Sequence, residues 1–170
     1  NQWEPKWIYK RYNINADFYA VNNFGVDWVG EGFEWNANMG LKNYWNVWTG
    51  GNISSSSLST GMLRGGPMMK LPGSTNARIG FSTDNRKKLV FDVYVNGSRG
   101  NEKDSRNLNT GIDITYKPTN YLVFTVSPGF SKSFSELQYV SQIEHNGKDN
   151  YIFASIDRKT ISTSFRVNLN

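Results

Sequence analysis

Thr160-Ile161-Ser162-Thr163-Ser164-Phe165-Arg166-Val167-Asn168-Leu169-Asn170 alternates from end to end. Ile161, Thr163, Phe165, Val167 and Leu169 fall on one side of an extended chain, and Ser162, Ser164, Arg166, Asn168 and Asn170 on the other. A period of two marks a β-strand with two unlike faces. Working back along the chain, the pattern returns. Leu108, Thr110, Ile112, Ile114 and Tyr116 alternate with Asn109, Gly111, Asp113, Thr115 and Lys117. Ala77, Ile79 and Phe81 alternate with Asn76, Arg78, Gly80 and Ser82. Phe33, Trp35, Ala37, Met39 and Leu41 alternate with Gly32, Glu34, Asn36, Asn38 and Gly40. Segment 7–18 follows through Ile8, Tyr12, Ile14, Ala16 and Phe18, interrupted by Lys10.

No segment sustains a helical period, and the alternation predicts nine strands over 6–20, 26–42, 44–53, 74–84, 88–97, 107–117, 120–142, 150–157 and 160–170. Pro128 falls inside the seventh strand, so a bulge is expected at Ser127-Pro128-Gly129, because proline cannot donate to a ladder. No internal domain boundary interrupts residues 1–170.

Composition narrows the class. Aromatics make up 15% of the 170 residues and charged residues only 19%, below the roughly 25% of an ordinary soluble domain. With no cysteine and one histidine, disulfides, thiolate metal sites and multi-histidine zinc sites are excluded. Mean hydropathy is −0.57, which an alternating membrane strand produces as readily as a soluble one. The net charge of +5 resides mainly in the expected turns, as at Arg86-Lys87-Lys88, where acids are interspersed. No nucleic-acid motif accompanies it, so no nucleic-acid partner is expected. The chain opens on Asn1-Gln2 without Met, as expected of a processed protein or an internal segment.

The connections alternate in length. Short ones are expected near 42–43, 84–87, 117–120 and 157–159, and long ones at 54–73 and 98–106. Short turns at one end and long loops at the other are the signature of an outer-membrane barrel. Its polar faces favour Gly, Asn, Ser and Thr over Lys and Glu, which suits a lumen better than a soluble surface. Trp3, Trp7, Trp28, Tyr44, Trp45, Trp48, Tyr116 and Tyr121 cluster near strand ends, as interfacial girdles require. The fold expected is all-β, an antiparallel transmembrane β-barrel. Nine strands are an odd number and the ninth ends without a turn, so this is expected to be part of a larger barrel. The partner is then the lipid bilayer of the bacterial outer membrane, with other outer-membrane subunits as possible neighbours.

Several stretches carry a resemblance. They are Leu63-Arg64-Gly65-Gly66-Pro67 with Leu71-Pro72-Gly73, Ser82-Thr83-Asp84-Asn85-Arg86-Lys87-Lys88 and Leu137-Gln138-Tyr139-Val140. Tyr151-Ile152-Phe153-Ala154 then runs into Asp157-Arg158-Lys159-Thr160 and on to Phe165-Arg166-Val167-Asn168. In this order and spacing they resemble the barrel region of a Bacteroidota outer-membrane family of unknown function. Members of that family often carry an N-terminal family-9 carbohydrate-binding-like module. The resemblance covers roughly 60–170 closely and the first sixty residues loosely. It implies an outer-membrane barrel, a longer parent chain and a carbohydrate partner only through domains outside this sequence. It brings no activity and no catalytic residues.

The residues singled out for function are polar. Arg78, Asp92, Asp113, Glu34 and Arg166 fall on the face expected to line the lumen. Asp92 and Asp113 are expected side by side, with Arg78 one strand away as the cation between them. No second carboxylate is expected opposite Glu34. Arg64, Gly65, Gly66 and Pro67 lie in a loop, 61–73, that holds three of the four Met. Its two readings are a constriction folded into the lumen and a loop covering the rim; the second use is the commoner. His145 precedes Asn146-Gly147, a hairpin-turn signal, and is expected to be solvated. No phosphate loop, metal-ligand spacing or catalytic dyad is present, so no cofactor, metal or enzymatic step is expected. The functions to weigh are an outer-membrane pore, transporter or scaffold, a soluble carbohydrate-binding β-sandwich and, remotely, a barrel hydrolase.

Overall fold

The computed structural model describes residues 8–24, 28–102 and 105–169. Trp3, Trp7 and the outermost residues of the expected first, second and last strands lie outside them. Eight long strands form one antiparallel sheet: β1 (Tyr9–Asn22), β2 (Trp28–Leu41), β3 (Asn46–Ser54), β6 (Ser74–Ser82), β7 (Leu89–Gly100), β8 (Ser105–Tyr116), β9 (Leu122–His145) and β10 (Lys148–Leu169). Their order in the sheet follows their order in the chain. A small hairpin, β4 (Ser57–Ser59) with β5 (Met69–Leu71), occupies the connection from β3 to β6. β1 and β10 are the two edges and do not pair with each other, so the described residues form an open sheet.

The faces follow from the register. Ile14, Ala37, Thr49, Ile79, Val95, Thr110, Phe130 and Ile161 stand opposite one another in turn across all eight strands. Directly opposed residues share a face, so the apolar sets read from each strand merge into one apolar surface. That surface is bare among the described residues: Ile14 is 69% exposed, Ile161 83% and Phe165 65%. The only buried apolar side chains among the described residues are Leu63 and Val90, and neither lies on it. Among the described residues the sheet is held by backbone pairing and cross-strand contacts, and no second layer covers the apolar face.

Four expectations about the strands are corrected. The last two expected strands are one: Asp157, Arg158 and Lys159 pair with Phe134, Ser133 and Lys132 inside a 22-residue β10. Charges suggested a turn there, yet their side chains alternate like any others in the strand. The stretch 98–106 is not a long loop, because β7 runs to Gly100 and β8 resumes at Ser105. Trp48 is no girdle residue; it lies on the polar face over Gly80. Pro128 makes no bulge. It pairs with Thr163 in even register, and its missing N–H only interrupts the β8 ladder between Gly111 and Ile114. The bulges in β9 come later, one on either side of its pairing with Ala154 and Phe153.

Beyond Ser135, which pairs with Ser105 at the start of β8, β9 and β10 continue as a two-stranded ribbon. Its ten β9 residues span roughly 30 Å at the usual rise. Asn146 (φ 53°) and Gly147 (φ 71°) turn its tip, the left-handed pair that a two-residue hairpin needs. At the opposite end of the sheet lie the connections β2–β3, β6–β7 and β8–β9, over 42–45, 83–88 and 117–121. Tyr44, Trp45, Tyr116 and Tyr121 are exposed at this end.

Candidate functional site

The face opposite the apolar one is polar in unbroken rows. One row runs Asp17, Glu34, Asn52, Asn76 across β1, β2, β3 and β6. It continues Ser98, Asn107, Ser133, Arg158 across β7 to β10. The next row contains Asn15, Asn36, Gly50, Arg78 and Asn96. Where the two rows cross β2, β3 and β6, Glu34, Asn36, Asn52, Asn76 and Arg78 line a cavity of about 210 Å³. Asn15 donates to the Asn36 amide oxygen at 2.9 Å and Asn52 donates to the Tyr19 hydroxyl at 3.1 Å, which fixes both amides. Gly50 stands opposite Arg78, and a β-carbon there would lie 3.2 Å from the guanidinium Nε. The glycine thus leaves room for the arginine to lie along the sheet.

Two of the expected lumen residues, Glu34 and Arg78, therefore meet in one cavity. Asp92 and Asp113 stand directly opposite each other, and Asp92 accepts a hydrogen bond from the Ser82 hydroxyl. Arg78 does not bridge them. It lies four residues along β6 from Ser82, the residue opposite Asp92, or about 13 Å at the usual rise. Arg166 is opposite Thr125 on the outermost strand. The expectation that Glu34 has no facing carboxylate is overturned: Asp17 stands directly opposite it. Sequence alone leaves that pair invisible, because it depends on the β1–β2 register.

The loop read as a constriction packs on the ribbon. The Arg64 guanidinium stands 4.9 Å from the centre of the Tyr139 ring, and Gly66 lies against the Tyr151 hydroxyl with no space for a side chain. Arg64 (φ 50°) and Gly65 (φ 105°) turn the chain there, and Leu63, 6% exposed, anchors it. Arg64, Gly65, Gly66 and Pro67 thus bridge from the β3–β6 connection to β9 and β10 at the rim. His145, in the ribbon tip, is exposed.

A second polar cluster lies among the short turns and was not foreseen. Asp84 is buried, and Arg86 grips it through Nε (2.8 Å) and Nη2 (2.7 Å) while its backbone N–H donates at 3.1 Å. Hydrogen bonding from Arg86 lowers the Asp84 carboxyl from 3.8 to about 2, and in return raises the Arg86 guanidinium. Arg86 also stands 3.2 Å over the Tyr44 ring, and Lys10 stands 3.6 Å over the same ring. Hydrogen bonding to Lys10, then to Arg86, lowers the Tyr44 phenol. With Lys42 and Lys87, the groups Tyr44, Asp84 and Arg86 line a cavity of about 610 Å³, while Lys10 lines a neighbouring one of about 300 Å³ that Tyr44 also lines. The Asp-x-Arg spacing within a turn is the one sequence signal that points to it.

Among the described residues no three His, Asp or Glu lie close enough to hold a metal ion. The geometry offers hydrogen-bond donors, acceptors and both signs of charge along one face. An all-β antiparallel meander with unlike faces is the class the fold defines. Within that class the chain belongs to the family described as Domain of unknown function (DUF5916), whose model matches residues 1–170. No curated protein and no solved structure matches the chain.

Proposed function

We propose that this chain is part of the wall of a bacterial outer-membrane β-barrel that passes polar solutes along its polar face. One observation carries the reading: the length and bareness of the apolar face. On β9, Leu122, Phe124, Val126, Pro128 and Phe130 point to that face before Lys132 ends the run. On β10, Leu169, Val167, Phe165, Thr163 and Ile161 do so before Lys159. Each run is nine residues long, the length of a tilted strand crossing a bilayer, about 9–11 residues. In water such a surface would far exceed the few hundred Å² of apolar patch that soluble proteins tolerate. In hydrocarbon it needs no cover.

The rest follows from the solvent. Unpaired backbone groups at the β1 and β10 edges cost several kcal/mol each in hydrocarbon, so in the membrane both edges are paired by further strands or a further subunit. A barrel of more than eight strands leaves space along its axis, with Glu34 and Arg78 on its wall. The Bacteroidota origin and a carbohydrate-binding-like module in a longer parent chain belong to the same proposal, through the family resemblance.

Fractionation tests it. The native protein should partition with the outer membrane, require detergent for extraction and have an intact mass well above 19.4 kDa. Reconstituted in planar bilayers, it should conduct ions. Recovery from the soluble fraction without detergent would end the membrane reading in favour of a carbohydrate-binding sandwich.

A further inference from the structure

Just past the apolar band, the same face turns cationic. Arg99 on β7 stands directly opposite Arg106 on β8, and Lys132 on β9 stands directly opposite Lys159 on β10. Leu108 is opposite Lys132, and Arg106 is opposite Phe134, so all four cations share the face that carries Phe130 and Ile161. Like charges placed directly across a ladder repel, and here that happens twice in neighbouring strands. No carboxylate lies within ion-pair distance of these four among the described residues. Asp157, the one acid in the two rows concerned, is opposite Phe134. The Arg106 guanidinium instead rests 5.1 Å from the Phe134 ring centre.

Two opposed cation pairs make two seats for anions. The pairs are two strand spacings and two residues apart, roughly 12 Å between their centres. An anion seated in each pair would turn the repulsion into a pair of charge-assisted contacts. Directly beneath them, Val95, Phe130 and Ile161 offer apolar surface, and the Thr110 hydroxyl among them donates to the Tyr94 carbonyl oxygen at 3.0 Å. We propose that this edge of the sheet binds a lipid bearing two phosphate groups. One phosphate sits between Arg99 and Arg106 and the other between Lys132 and Lys159, with the acyl chains lying on the apolar band. This rests on the barrel reading above, since the acyl chains occupy the face assigned to hydrocarbon. A free phosphate would satisfy the cations but leave the adjoining band unused.

The test uses the native full-length protein, extracted with the strands or subunit that complete its barrel, in phosphatidylcholine nanodiscs, with retained lipid counted by native mass spectrometry. The added lipids are bisphosphorylated lipid A and its monophosphorylated form. The wild type should retain the bisphosphorylated lipid at least tenfold more strongly. K132Q/K159Q should bring it down to the level of the monophosphorylated form, and R99Q/R106Q should do so independently should the first variant not fold. Lys148→Gln, at the exposed ribbon tip, should change nothing. Equal retention of the two lipids by the wild type, a preference that survives both double variants, or full displacement by inorganic pyrophosphate would each overturn the proposal. A chain that enters nanodiscs without lipid preference refutes this inference alone, whereas one that never enters them refutes the barrel reading.

Discussion

Trp48 on β3 and Gly80 on β6 stand directly opposite each other, and the indole lies where a β-carbon on the glycine would have to be. Tyr94 lies over Gly111 and Tyr19 over Gly32 in the same way, each across one ladder step on the polar face. A large ring can lie flat on a sheet only where its neighbour has no side chain. The glycines so frequent in these strands are thus half of a packing unit, in which the ring shields bare backbone and restores the contact area that glycine lacks.

Gly80→Ala should therefore be costly. The new methyl would meet the Trp48 ring and, at 2.7 Å, the Val93 carbonyl oxygen, which belongs to the backbone and cannot swing away. A loss of about 1–3 kcal/mol is expected, as for overpacking elsewhere. Gly97→Ala is the matched control, since its β-carbon would find nothing nearer than 3.8 Å. It should be neutral or gain up to about 1 kcal/mol from the unfolded state. Unfolding of both variants by urea in detergent compares them.

The two faces were legible because a period of two survives any uncertainty about where strands begin. Ile161 to Leu169 and Leu108 to Tyr116 need no register to be assigned a side. Pairing across strands was less legible. Arg78 meets Glu34 and misses Asp92 because of offsets set by the turns, and a slip of one residue would exchange the faces. The merging of 150–157 with 160–170 shows the same limit: Asp157-Arg158-Lys159 has the composition of a turn, but pairing with an equally long β9 keeps it extended. Asp84 with Arg86 escaped notice because a charged pair in a turn ordinarily points to water, whereas here Asp84 is 5% exposed.

The position of a charge along β10 should matter if the apolar face meets lipid. Phe165 lies in the middle of the run from Ile161 to Leu169. Phe165→Arg should cost about 2–4 kcal/mol, and Leu169→Arg, at the margin, about 0–1 kcal/mol. Ser164→Arg, on the polar face beside it, should be tolerated. Reversible folding into vesicles measures all three. A flat profile across positions 165 and 169 would mean that no bilayer gradient acts on this face.

Arg78 and Glu34 share one cavity and carry opposite charges, so their removal should shift ion preference in opposite directions. A unit charge about 7 Å from a passing ion contributes about 0.6 kcal/mol in a water-filled lumen, a factor of about 3 in local ion concentration. Cations gain what anions lose, so R78A should raise the cation-to-anion permeability ratio by about the square of that factor, and E34Q should lower it. Reversal potentials under a potassium chloride gradient give the ratio directly. Shifts of the same sign in both variants would show that the cavity does not face the path of the ions.

Acid should loosen the short-turn end before it affects the strands. Arg86 holds the Asp84 carboxyl at about 2, below its ordinary 3.8, so the folded turn favours the ionised form. The stabilisation is complete above the unfolded value near 3.8 and is lost as the pH falls towards about 2. Between those values protonation releases Arg86 from Asp84, and the cation over Tyr44 loses its anchor. The turn amides of Arg86 and Lys87, which bond to the Asp84 carboxylate and carbonyl, should then exchange faster with solvent. Asp84→Asn should show that fast exchange already at neutral pH and be insensitive to acid over the same interval. Hydrogen exchange at Arg86 and Lys87 from pH 5 to pH 2, corrected for intrinsic rates, makes the comparison. Protection in the wild type that does not change across that interval would mean that the Asp84–Arg86 pair does not hold the turn.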